Sequence, residues 1–269
     1  MQSAMLKLPQ VSVFGRTRTY LEAQQQLIDN LPTYAEKVTS AKKAWDGKSK
    51  AVFEEVRATL DVICPGARRC HYCEDSAADE VEHVWPKKFY PEKTFIWQNY
   101  LFACGPCNGS NKRDQFSVFD EDENQFDIVR KKNDPIIQPP VGAPLFIDPT
   151  SEDPTEYITL DLETGLFVPL SPKDTREFKR AEYTIKILGL NSRDYLSRAR
   201  RNAYASYKDF LDAYTSLKVN GSPHAELMRK QAEIREKHHP TVWHEIKVTA
   251  HLGIAHQDAF EQSPELYQI

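Results

Sequence analysis

The sequence predicts an α+β protein. A small, cysteine-clamped strand–loop–strand–helix unit sits between an N-terminal helical segment and a C-terminal hairpin followed by helices. Three observations carry this. Two Cys-x-x-Cys pairs, Cys70/Cys73 and Cys104/Cys107, bracket a stretch dense in Cys, His, Asn and Lys but poor in long apolar periods. Apolar residues recur at helical spacing before that stretch and over most of the chain after it. Between the two lie Pro- and Asp-rich breaks and one clear turn, Glu163-Thr164-Gly165, flanked by apolar runs.

Residues 1–69 read as mostly helical after an extended start. Leu21, Gln24, Gln25 and Leu27 open a weakly periodic stretch, and Val52, Val56, Leu60 and Ile63 define a helix that stops at Pro65-Gly66. Asp46-Gly47-Lys48-Ser49 lies between them as a loop or cap. Residues 70–120 form the metal-organised unit. Its strands are expected at 81–84 (apolar, acid, His, apolar) and 100–103, with a helix starting at Asn111-Lys112-Arg113-Asp114. Residues 121–269 open with a Pro- and charge-rich connection holding one short strand at 145–147. A hairpin over 157–162 and 166–170 comes next, then helices at about 174–189, 192–218, 223–238 and 241–262. Asn191-Ser192 is expected to cap the second of these, and Gly221-Ser222-Pro223 to separate it from the third.

Composition bounds the function. The 269 residues, 40% hydrophobic and 28% charged, suit a soluble globular protein. No apolar run approaches the roughly 18–20 residues that cross a bilayer. The first residues lack a signal-peptide stretch, so no membrane role and a cytoplasmic location are expected. Net charge is −4, from 35 basic and 39 acidic residues. That balance argues against a self-sufficient, non-specific nucleic-acid binder, whose affinity comes from counterion release. Nucleic acid would need a local basic patch or a partner that supplies the grip.

There are five cysteines. In a reducing compartment two Cys-x-x-Cys pairs point to a metal instead of disulfides, each pair offering two thiolates to one tetrahedral Zn²⁺. Cys64 stands outside the pairs as a structural thiol. His71, inside the first pair, is an alternative ligand, but the four-cysteine set is simpler.

Together with Glu82-His83, Asn99, Asn108 and Lys112, this arrangement resembles the HNH (ββα-metal) nucleases. Their pattern is a cysteine pair, an acid–His pair, an Asn before a hydrophobic strand, a second cysteine pair followed by His or Asn, and a Lys. The chain departs in carrying Asn108 where the motif's last His gives it its name. The resemblance implies a zinc-clamped ββα-metal nuclease core that hydrolyses phosphodiesters. His83, titrating near working pH, suits a general base. Glu82 and Asn108 offer oxygens to a catalytic ion, which favours Mg²⁺ or Mn²⁺. Asn99 orients the loop bearing His83, or simply forms a turn. Lys112 is placed to meet phosphate, or with Arg113 forms a solvated helix face. Lys87, Lys88 and Lys93 are phosphate contacts or ordinary surface; Trp85 and Trp97 stack on bases or pack the module.

More narrowly, the stretches 68–74, 81–87, 97–101 and 104–114, with 146–149 and 184–191 beyond the motif, resemble the HNH nuclease subunits of bacterial anti-phage systems. These are the PtuB-type subunit of Septu and related effectors attached to retrons. That resemblance implies an ABC-type ATPase partner (PtuA-like), in some systems with a retron, and a nucleic-acid substrate, DNA ahead of RNA. The alternative is a non-catalytic zinc-knuckle subunit that binds nucleic acid or protein. The C-terminal His238, His239, His244, His251 and His256 lack the spacing of a metal pair, and Arg198, Arg200 and Arg201 beside Tyr195, Tyr204 and Tyr207 read by default as a solvated face.

Overall fold

The computed structural model describes the chain except residues 1–6, 10, 65 and 67. Most of the expected extended start, and Pro65 of the expected helix stop, therefore lie outside the described residues. Three helices come first: α1 (Gly15–Asp29), α2 (Tyr34–Asp46) and α3 (Lys50–Val62). Thr33 and Glu36 form a capping box at the start of α2, and Ser49 caps α3. On α1 the buried face is Thr17, Leu21, Gln25 and Ile28, whereas Leu27 is exposed. Of the set expected from spacing, Leu21 and Gln25 are buried, but the 3.6-residue period brings Ile28 beside them instead of Leu27. Gln25 is buried for its amide: Oε1 accepts from Phe95 N at 2.8 Å and Nε2 donates to Pro91 O at 3.2 Å.

The sheets are three separate antiparallel hairpins: β1 (Glu80–His83) with β2 (Tyr100–Ala103), β3 (Ser117–Phe119) with β4 (Gln125–Asp127), and β5 (Ile158–Asp161) with β6 (Leu166–Pro169). The β1–β2 pair matches the two expected strands. The β3–β4 pair falls partly in the expected connection; every β4 residue is exposed, so no apolar alternation marked it. Residues 145–147 are buried but form no regular strand. Leu145 N donates to Ser117 O at 2.9 Å, while Pro144 makes only an isolated bridge to Val118. Proline has no N–H to continue such a ladder.

After the β5–β6 hairpin come α4 (Arg176–Ile187), α5 (Asp194–Val219), α6 (His224–Glu236), α7 (Pro240–His251) and α8 (Gln257–Gln262). The single helix expected over 241–262 is two. Gly253, at φ +69°, ends α7 in a Schellman turn, with Ile254 N on Thr249 O and Gly253 N on Ala250 O. Asn191 and Ser192 do not cap α5, whose N-cap is Arg193 without a side-chain bond. The Asn191 amide instead clasps β6, accepting from Phe167 N at 2.9 Å and donating to Phe167 O at 2.8 Å.

The β1–β2 hairpin divides two cores. Strand alternation sends Tyr100 and Phe102 into the core of α1–α3, and Leu101 and Ala103 into the larger core shared with the C-terminal helices. Among the described residues no helix is long and apolar enough to cross a membrane.

Candidate metal centre and active site

Cys70 and Cys73 lie in the turn before β1; Cys104 and Cys107 follow β2. All four are buried, and their sulfurs lie within 4.8 Å of one another. Cys73 and Cys104 are 3.8 Å apart at Sγ, the edge length of a tetrahedron whose centre is about 2.3 Å from each sulfur. A Zn²⁺ ion fits this set. His71 stays off the cluster: its Nδ1 accepts from Phe102 N at 3.1 Å, and Nε2 faces Ile63 O at 3.2 Å. Full burial holds its pKa down to about 4, so the ring is a neutral strut between the end of α3 and β2. Cys64 is half-buried against the N-terminal core, and burial pushes its thiol up to about 12.

The cluster is tied into the C-terminal helices. Arg193 Nη2 donates to Cys107 Sγ at 3.2 Å and to Leu188 O at 2.7 Å. Glu74, next to Cys73, accepts from Thr241 N at 3.2 Å and Thr241 Oγ1 at 2.6 Å, a carboxylate at the N-terminus of α7.

Residues 106–112 form one wide helical turn that closes at Arg113, where φ is +50°. The helix expected to begin at Asn111 therefore ends there. This places Lys112 differently from the sequence expectation. Its side chain is fully buried, with Nζ 2.5 Å from Glu82 Oε1 and 2.9 Å from His83 O. Lys112 thus neutralises Glu82 and is not turned to solvent, where phosphate would meet it. Burial raises the Glu82 pKa against the pull of Lys112. Truncating one partner of a buried pair strands the other's charge, at a cost of about 3–5 kcal/mol. Lys112→Met should therefore destabilise the chain by about 3 kcal/mol in denaturant titration, and adding Glu82→Gln should recover most of it. A cost below about 0.5 kcal/mol, as for surface charges, would contradict this pairing.

Asn108 does not join Glu82 directly. Its Nδ2 donates to Glu80 Oε2 at 2.8 Å. Glu80 and Glu82 are two apart on β1 and so share a face. Glu80 is a carboxylate that sequence reasoning missed; the period of two along 80–83 was the signal available. Glu80 and Asn108 are thus joined by a hydrogen bond, on the face of β1 that also carries Glu82.

His83 takes the opposite face of β1. Its ring lies edge-on to Trp45 at 4.3 Å and to Tyr100 at 5.3 Å, and Nε2 faces Thr94 O at 2.9 Å. Burial first, then the Lys87 ammonium, holds the imidazole pKa well below its usual value, so the ring is neutral. With Nε2–H donated to Thr94 O, the free lone pair is on Nδ1. Lys112 ties the Glu82 carboxylate to the His83 backbone carbonyl, and Lys87 acts electrostatically on both Glu82 and His83. Asn99 bonds the intervening loop at both ends: Oδ1 accepts from Trp85 N at 2.7 Å, and Nδ2 donates to Trp85 O at 3.0 Å and Lys93 O at 2.9 Å.

The remaining candidates divide. Trp85 packs on Tyr90 and Phe116, and Trp97 Nε1 donates to Val11 O. Lys88 pairs with Asp114 at 3.6 Å, and Lys93 lies over Trp85 at 4.7 Å. The C-terminal histidines scatter: His238 meets Arg69, His239 meets Asp75, and His256 meets Tyr204. Among the described residues, only the cysteines group as metal ligands. The Arg/Tyr set is not one solvated face, because Arg200 and Tyr207 are buried, with Arg200 donating to Gly165 O and Leu190 O.

No family model matches the chain. It is similar to a curated protein of Bacillus mycoides (strain KBAB4), 24% identical over an alignment of 186 residues, gaps included, that covers 62% of this chain. The match spans 58% of that relative, less than two thirds of its length. An α+β chain with a buried four-cysteine cluster, suited to a metal such as zinc, is thus distantly similar to a relative named Septu protein PtuB.

Proposed function

We propose that this chain is a metal-dependent HNH-type endonuclease, the nuclease effector of a Septu-type anti-phage system that acts with a PtuA-like ATPase, in some settings with a retron. The observation that carries the hydrolytic role is one frame: Asn108, next to the cysteine cluster, bonds Glu80 of β1, a strand that also carries Glu82 and His83. The name of the distant relative supports the defence role. Glu82 and Asn108, with Glu80 alongside, would hold Mg²⁺ or Mn²⁺, which supplies charge relief at the scissile phosphate and leaving oxygen. His83 takes the proton of the attacking water at Nδ1 while Thr94 O fixes its ring. Asn99 positions the loop that supplies Thr94. Lys112 positions β1 by balancing Glu82.

The test is a cleavage assay on plasmid, single-stranded DNA and total RNA, with Mg²⁺, Mn²⁺ or chelator, alone and with the ATPase partner. Cutting that requires the metal and is lost in Asn108→Ala is expected. If no substrate is cut under any of these conditions while nucleic-acid or partner binding persists, the chain is a zinc-knuckle binding subunit instead.

A further inference from the structure

We infer that a basic groove beside His83 is a nucleic-acid track, assembled largely from segments outside the motif. It takes its ligand class from the nuclease assignment above. The groove has a volume of about 700 Å³. Three stretches far apart in sequence wall it: α2 with Lys42, the β1–β2 loop with Lys87 and Lys88, and the segment after β4 with Arg130, Lys131 and Lys132. These six cations face three carboxylates, Asp46, Asp114 and Asp134, in a chain whose net charge is −4. The local excess therefore runs against the global balance. Two of the carboxylates are already engaged, Asp114 by Lys88 at 3.6 Å and Asp134 by the Lys131 N–H at 2.7 Å.

Two of the walls are fastened together. The Arg130 guanidinium donates to Lys88 O and lies 5.3 Å over the Phe89 ring. Lys42, Lys131 and Lys132 stay exposed. The inner end of the groove reaches His83 through one ring. Lys87 Nζ lies 5.2 Å over Trp45, and Trp45 lies 4.3 Å from the imidazole. Like charges gathered in a concavity repel each other, and the field they create attracts an anion. Six cations from three separate segments line this one groove, more than a single small anion can engage. That pattern fits an extended run of phosphates better than a single small anion. It also answers the objection raised by the acidic composition, since the patch is local.

The experiment is fluorescence anisotropy of labelled 30-nucleotide DNA, single-stranded and duplex, and of the matching RNA. It uses the full chain without added divalent cation, so that no cleavage occurs, over 50–300 mM NaCl. The wild type is expected to bind with salt-dependent affinity. Lys131→Glu/Lys132→Glu should weaken binding about tenfold or more near 100 mM NaCl and flatten the log–log salt slope by about 1.5, two lost phosphate contacts at roughly 0.7–0.9 each. Thermal melting should be unchanged, because both side chains are exposed. Comparing the three probes identifies the strand type. Absence of oligonucleotide binding by the wild type at 50 mM NaCl would overturn the inference. So would an unchanged affinity and slope in the double variant, or charge reversal that weakens only a protein partner's binding. Oligonucleotide binding by a wild-type chain that cuts no substrate under any metal condition would refute the nuclease assignment alone.

Discussion

Cys104→Ser is expected to lose the zinc and much of the stability of the chain. Four buried thiols lie within 4.8 Å of one another, and without a cation they leave sulfur against sulfur. In small zinc modules the ion contributes an apparent 10–16 kcal/mol of folding free energy. The loss here would spread, because Arg193 donates to Cys107 and Glu74 holds the start of α7. Even a deficit of about 5 kcal/mol would lower the melting temperature by roughly 10–20 °C in a chain of this size. Metal analysis should give one zinc per chain for the wild type and a fraction of that for the variant. Chelation under mild denaturant should reproduce the shift. Zinc-free wild type with an unchanged melting curve would refute a structural role for the cluster.

His83→Asn is expected to lower the cleavage rate by about 10²–10⁴-fold, the range that a positioned general base contributes. Asparagine is the informative replacement because the ring is buried. His83→Ala would also remove the contacts with Trp45 and Tyr100 and the bond to Thr94 O, at a cost of about 2–4 kcal/mol typical of large-to-small core changes. Asparagine fills more of the ring's space than alanine but supplies no basic nitrogen. Zinc content and melting temperature near those of wild type, with cleavage nearly abolished, would assign the proton transfer to His83. Cleavage at the wild-type rate would remove His83 from the chemistry.

Local spacing carried a large part of this molecule. The cysteine pairs, the β1–β2 strands, the β5–β6 hairpin and the helical C-terminal region were legible because each depends on a short-range period or on turn chemistry. The misplaced features depended on contacts between distant residues. Helical spacing placed Gln25 in the stripe of α1 but not its bond to Phe95, and a cap signature did not show that Asn191 would clasp Phe167. β4 carried no apolar alternation because nothing covers it.

By itself the sequence determined which groups are available: four cysteines in two pairs that could hold a metal such as zinc, with carboxylate, amide and imidazole side chains close together in the chain. Only the tertiary structure decided how those groups meet. Strand alternation put Glu82 and His83 on opposite faces of β1, and a wide helical turn buried Lys112 against Glu82 and aimed Asn108 at Glu80. It also gathered Lys42, Lys87, Lys88 and residues 130–132 into one groove. The physical reason is that residue type and spacing set what a group can bond, while charge pairing and burial depend on which distant segments fold against it.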